Sequence, residues 1–254
     1  MGRTLTSLRV LADASEVAER ARREVLARAT RAIRARGAFT IALSGGATPR
    51  ALYERLAASE RVDWARWHVF FGDERCVPPH HADSNAGMVC DALLDRVPIP
   101  SRQVHRMRGE AEPVAAAAEY ERALLGHFGG PPRFDVVLLG LGADGHTASL
   151  FPGSSALAER ERTVVATHVD ALRAWRITLT PRAIAAARCA IFLVTGADKA
   201  AALASAVQER RSPAGQIALD DGEILWLVDG AAASRLDFAP SGPEHEPGAE
   251  DDRG

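Results

Sequence analysis

The sequence predicts an α/β protein built on a mostly parallel sheet with helices on both faces. Three observations carry that expectation. Short apolar, β-branched runs alternate with amphipathic stretches along nearly the whole chain, the order expected of linked strand–helix–strand units. Several of these runs are hydrophobic throughout rather than alternating, as suits strands covered on both faces. A chain of 254 residues, 47% hydrophobic and 25% charged, can bury a substantial core.

The predicted strands, in order, are Ser7 to Leu11, Phe39 to Leu43, Trp67 to Phe71, Phe134 to Leu139, Thr163 to His168, Arg176 to Thr178, Ala190 to Thr195 and Ile224 to Val228. Helical periodicity marks Ser15 to Arg36, Pro49 to Ala58, Ser84 to Leu94, Pro113 to Phe128, Ala197 to Glu209 and Gly230 to Arg235. No internal repeat or linker interrupts the alternation, so one catalytic domain over residues 1–238 is expected. Residues 239–254 are rich in Pro, Gly, Glu and Asp, a composition that predicts a disordered acidic tail.

Charge and composition exclude several classes. A net charge of -2 offers no bulk attraction to nucleic acid or anionic membrane. Met1 to Val10 has no apolar signal core, and no stretch approaches the length of a membrane span. Cys76, Cys90 and Cys189 are far apart, without metal-ligand spacing, and fit free thiols in a reducing compartment. A cytoplasmic protein is expected. Of the 31 basic residues only Lys199 is lysine, which is either chance or the mark of a position where a compact ammonium serves better than a planar guanidinium.

Two glycine turns carry the candidate chemistry. In FTIALSGGATPRALYERLA, Ser44, Gly45 and Gly46 join a strand to a helix, with Thr48 as the expected N-cap and Pro49 as the first helical residue. Such a turn lets backbone amides approach a phosphate. No Lys follows the second glycine, so it is not a nucleotide triphosphate loop. In VVLLGLGADGHTASLFPG, Gly140, Gly142 and Gly145 have the G-x-G-x-x-G spacing of a dinucleotide site. Pro152 and Gly153, however, break any helix within about two turns, and the cofactor needs that helix. The turn instead delivers Asp144 and His146 to the edge of a buried strand, and imidazole suits proton transfer near neutrality.

Other charges gather at the same edge. FFGDERCVPP closes a strand with Asp73, Glu74 and Arg75, the arginine being suited to face an oxyanion or phosphate. HADSNAG reads as a helix start capped by Asp83 or Ser84, with no chemistry assigned. His80 and His81 are adjacent on a loop with no third ligand nearby, so no metal is expected. Arg176 in WRITLT and Lys199 in VTGADKAAAL complete the cations, and Lys199 occupies a first helical turn, where the dipole disfavours it.

Six blocks, LSGGATP, FFGDERCVPPHHADSN, LLGLGADGHTASLFPG, RITLTPRAI, VTGADKA and LWLVDGAAA, together resemble the 6-phosphogluconolactonase family, within the group that includes glucosamine-6-phosphate deaminase and ribose-5-phosphate isomerase. The resemblance spans roughly Ala12 to Arg235. It implies a Rossmann-like three-layer α/β/α sandwich and hydrolysis of 6-phospho-D-glucono-1,5-lactone without metal or organic cofactor. It also implies roles for particular residues. His146 would activate water, Arg75 and Lys199 would lie near substrate, and Ser44, Gly45, Gly46, Thr48 and Arg176 would contact the sugar phosphate. Asp144 is expected to orient His146, and Asp73 to touch substrate or brace Arg75. Ala47 departs from the family's usual Ser or Thr, which removes a hydroxyl from the phosphate turn, and VDALRAW is less proline-rich than usual.

The expected partner is a small sugar-phosphate lactone, bound by a monomer or weak homodimer. An isomerase or deaminase would need further carboxylates, and Thr147 to Gly153 contains none. A sugar-phosphate sensor of a transcription regulator would need a DNA-binding module, which neither the opening helix nor the acidic tail resembles.

Overall fold

The computed structural model describes residues 5–237, so the tail expected at 239–254 lies outside the described residues. In chain order the first half contains β1 (Leu5–Leu11), α1 (Ala14–Arg36), β2 (Phe39–Leu43), α2 (Ala47–Ala57), β3 (Trp67–Phe71), β4 (Asp73–Arg75), α3 (Asn85–Ala92) and α4 (Pro113–Phe128). The second half contains β5 (Val136–Leu139), α5 (Ser155–Ala158), β6 (Val164–Val169), β7 (Ala174–Leu179), α6 (Pro181–Ala185), β8 (Cys189–Val194), α7 (Ala200–Ala204) and β9 (Glu223–Asp229).

Six strands form one sheet in the order β1-β9-β8-β5-β2-β3, with every pairing parallel. β2, β5 and β8 are buried at every residue, which explains their unbroken apolar sequences. This is the expected α/β class, a mostly parallel sheet with flanking helices. The chain after β2 runs to β3 on one side, whereas the chain after β5 runs to β8 on the other. A crevice therefore opens between the C-terminal ends of β2 and β5, where open α/β sheets bind ligands.

β6 and β7 leave the main sheet. They form an antiparallel hairpin, and β4 adds to β7 to make a second sheet ordered β4-β7-β6. The reason is connection length: a single 3₁₀ turn (Asp170–Leu172) and Arg173 at φ 47° join them. That link is too short for a parallel crossover. Two hydrogen bonds moor the small sheet to the large one. Gly72 donates to the Leu43 carbonyl (2.7 Å), and Leu179 donates to the Gly72 carbonyl (2.8 Å).

Local signals explain the helices. Asp13 caps α1 by accepting from the Glu16 N–H, and Gly37 ends it at φ 80°. Its buried face, Val17, Ala18, Ala21, Val25, Ala29 and Ala32, has helical periodicity and small side chains, which bring the backbone close to the sheet. Two expected helices shorten. Ala197 to Glu209 divides into a 3₁₀ turn (Ala197–Lys199), α7 and a π turn (Ser205–Glu209), and Gly230 to Arg235 retains only a 3₁₀ turn at Ala232–Arg235. Among the described residues no helix is long and apolar enough to cross a membrane.

Candidate active site

The turn after β5 holds a histidine where a cofactor loop would hold phosphate. The Gly142 N–H donates to the His146 carbonyl (2.8 Å) and the Gly145 N–H to the Gly142 carbonyl (2.9 Å), closing a tight loop. The three glycines do different work. A Cβ on Gly142 would lie 2.1 Å from Nδ1 of His146, so the missing side chain is the space the imidazole fills. Gly145 has φ 82° and packs against Ser212, whereas a Cβ on Gly140 would meet nothing within 4 Å.

Asp144 fixes the imidazole. Its Oδ1 lies 2.5 Å from Nδ1 of His146 and also accepts the His146 backbone N–H at 3.1 Å. Burial raises the Asp144 carboxyl, but these contacts more than offset it and hold the group below its ordinary value. An ionised carboxylate can only accept, so Nδ1 carries a proton, and in the neutral imidazole the lone pair then falls on Nε2. Phe151 stacks on the ring, with centroids 4.2 Å apart. His146 is therefore an oriented imidazole on a partly exposed edge.

The small sheet supplies the cations. Arg75 on β4 pairs in register with Arg176 on β7, placing like charges directly opposite, a destabilising arrangement. Arg75 donates to the Asp83 carbonyl. Neither guanidinium is ion-paired with a carboxylate among the described residues. Burial, then the charge of Arg75, lowers Arg176 below the ordinary arginine value. Two guanidiniums on paired strands without carboxylate partners have the chemistry to attract an anion.

Asp73, expected to touch substrate or to brace Arg75, is hydrogen-bonded to the segments on either side. It is buried, with Oδ2 accepting from Ser149 Oγ (2.7 Å) and Oδ1 from Asn85 Nδ2 (3.3 Å). Ser149 belongs to the His146 loop, and its N–H reaches Thr178 Oγ1 on β7 (3.2 Å), so this set joins the histidine to the arginines. Glu74 is likewise structural. It accepts the N–H groups of Arg75, Asn85 and Ala86 and the Ser84 hydroxyl, anchoring the start of α3. Ser84, rather than Asp83, caps that helix by accepting from the Gly87 N–H.

Asn85, to which the sequence assigned no chemistry, is the hub. Its Nδ2 donates to the Asp73 carbonyl (2.9 Å), and its Oδ1 lies 1.9 Å from where a Cβ on Gly45 would stand. Only glycine fits beneath it. A D-S-N capping signal was visible, but contact with a residue forty positions earlier leaves no local signature.

In the glycine turn the structure corrects one expectation: Gly46, not Thr48, is the N-cap of α2, at φ 107° and with no side-chain cap. A glycine turns the chain directly into the helix, so Pro49 falls in the first turn but not at its first position, and the leading N–H groups remain available. Tyr53 clamps Ser44 by accepting its N–H (3.0 Å) and donating to its carbonyl (2.7 Å). The Ser44 hydroxyl is buried without a hydrogen-bond partner among the described residues. Thr48 Oγ1 lies 2.7 Å from Thr195 Oγ1, spanning the end of β5 from β2 to β8. Lys199 stands beyond Thr195 and is ion-paired with Asp198 at 3.1 Å. Gly196 before it is held by the Asp229 carboxylate.

The family model for glucosamine-6-phosphate isomerases/6-phosphogluconolactonase matches residues 12–226. A 6-phosphogluconolactonase of Nostoc sp. is 43% identical over 91% of this chain and 98% of its own length. One from Synechocystis sp. is 42% identical over 89% and 97%. The structure of 6-phosphogluconolactonase from Trypanosoma cruzi superposes with a TM-score of 0.81 at 30% identity, covering 94% of this chain and 99% of that one. A model matched over most of the sequence, on a fold whose loops assemble one site, establishes that the chain belongs to the glucosamine-6-phosphate isomerase/6-phosphogluconolactonase family.

Proposed function

We propose that this protein is a 6-phosphogluconolactonase, hydrolysing 6-phospho-D-glucono-1,5-lactone to 6-phospho-D-gluconate in the oxidative pentose phosphate pathway. The observation that carries the reading is a carboxylate-oriented imidazole, Asp144–His146, tied through Ser149 and Asp73 to two guanidiniums without carboxylate partners.

In this mechanism Nε2 of His146 takes a proton from water as its oxygen attacks C1. Asp144 holds the ring and stabilises the imidazolium that forms. Arg75 faces the oxyanion developing on the former carbonyl. As the C1–ring oxygen bond breaks, His146 returns the proton to the departing oxygen, so the base is regenerated within one turnover. Arg176, the N–H groups of the Ser44–Gly46 turn and Thr48 hold the phosphate, with Lys199 at the rim, which keeps C1 in register with the base. Asp73 and Asn85 keep the turn and the arginines in place. The absence of a hydroxyl at Ala47 is met by backbone amides, which the glycine turn presents directly. No step calls for a metal or organic cofactor, and every group comes from one chain, in keeping with a monomer or weak homodimer.

Incubating purified protein with freshly prepared lactone and following acid release tests this. Release well above spontaneous hydrolysis is expected, with no ammonia from glucosamine 6-phosphate. A lactone rate equal to background would overturn the proposal.

A further inference from the structure

The end of the sheet away from this crevice holds a second group of imidazoles. His68 lies near the start of β3, His105 follows the 3₁₀ turn Ser101–Gln103, and His127 lies in the last turn of α4. One ligand nitrogen from each lies within 4.8 Å of those from the other two. Some point therefore lies within about 2.8 Å of all three, and ring shifts under about 1 Å would bring the nitrogens to zinc-bonding distance.

Ring packing accounts for part of this group. Phe70 stacks on His105 with centroids 4.3 Å apart, and His127 packs edge-on to Phe128 at 5.0 Å. Packing leaves the nitrogens unexplained. His68 Nδ1 and His105 Nε2 are buried without hydrogen-bond partners among the described residues. An orphaned buried polar atom is costly, and a lone pair of that kind is met equally well by a metal ion. Burial lowers all three imidazoles, His105 to about 4, so the ligating neutral form prevails at neutral pH. Arg102 is the cation whose charge acts on His68. It contributes a repulsion that three neutral nitrogens must outweigh.

We infer that His68, His105 and His127 form a site for a divalent transition metal of the zinc class, with solvent completing the coordination, which clips edge strand β3 to α4. Imidazole-only donor sets favour zinc, copper and nickel over magnesium or calcium. The site is remote from His146, so its role would be structural rather than catalytic.

The test uses full-length protein stripped with EDTA and then titrated with Zn(II), with Co(II) as a spectroscopic probe. One equivalent of Zn(II) per chain is expected, with visible d–d bands for Co(II). At a hundredfold excess over Kd, Tm should rise by about 5–10 °C. His105→Ala and His127→Ala should each lose about tenfold or more in affinity, and a His80→Ala/His81→Ala double variant should bind as the parent does. His127→Asn, with far-UV circular dichroism and unchanged lactone turnover, guards against a folding defect in the truncations. Absence of stoichiometric uptake by the parent would overturn the inference. So would affinity equal to the parent's in His105→Ala and His127→Ala, or loss in the His80/His81 variant alone.

Discussion

At the C-terminal edge of the sheet, His146 is fixed by a carboxylate 2.5 Å from Nδ1 and surrounded by glycines. At the opposite end, His68, His105 and His127 are stacked among phenylalanines, and burial sets their protonation. The side chain is the same; its partner decides its use. A carboxylate that can only accept claims one nitrogen and fixes the ring, whereas an apolar wall leaves buried nitrogens without a partner among the described residues. Possession of a histidine is thus uninformative about chemistry until the atom opposite its ring nitrogen is known.

The contrast is most directly broken by truncating one histidine at each end. His146→Ala should lower kcat by about a hundredfold or more, as expected when a general base is lost, and His127→Ala should leave kcat unchanged. Equal turnover in the two variants, against the spontaneous background, would erase the distinction. Asp144→Asn should lower kcat by about tenfold or more with little change in KM, because the imidazole loses the acceptor that fixes its tautomer. A change confined to KM would reassign Asp144 to binding.

Two glycines in one motif sharpen the claim that the loop is shaped around the ring. Gly142→Ala places a methyl group where His146 Nδ1 now lies, and kcat should fall by about tenfold or more. Gly140→Ala meets open space and should keep activity within about twofold. The smallest effect on activity is expected at Glu121, on the same helix as His127. It accepts from the Arg162 guanidinium and from the Thr163 and Val164 N–H groups. Burial raises this carboxyl, yet these donors hold it below its ordinary value. A depressed carboxyl stabilises the fold above its unfolded pKa and loses that contribution as pH falls through the folded one. Glu121→Gln should therefore cost about 1–3 kcal/mol near pH 7, with unchanged kcat, and the deficit should shrink below pH ~4, as measured by denaturant unfolding. A deficit independent of pH would show that charge has no part in it.

Much of the main sheet was legible because a strand buried on both faces has no polar positions. Val136–Leu139 and Cys189–Val194 could be little else. The turns were legible too, since glycines beside a strand end announce close approach. β4 was not: Asp73, Glu74 and Arg75 read as the charged close of the preceding strand, and their pairing is with Thr178, Ile177 and Arg176 far along the chain. Asn85 escaped notice for the same reason, since its partners are Asp73 and Gly45. The N-cap of α2 was misplaced because a threonine before a proline outweighs a glycine on propensity, while the backbone angle at Gly46 decides. The three clustered histidines lie far apart in sequence and on three different elements, so no spacing rule unites them.

Arg75 and Arg176 stand in register on neighbouring strands, and neither is ion-paired with a carboxylate among the described residues. Like charges directly opposite on paired strands repel, and an anion between them would relieve that repulsion. On the proposed reading, inorganic phosphate and other phosphorylated metabolites would compete with lactone at this pair, and turnover would depend on the ionic make-up of the medium as well as on lactone.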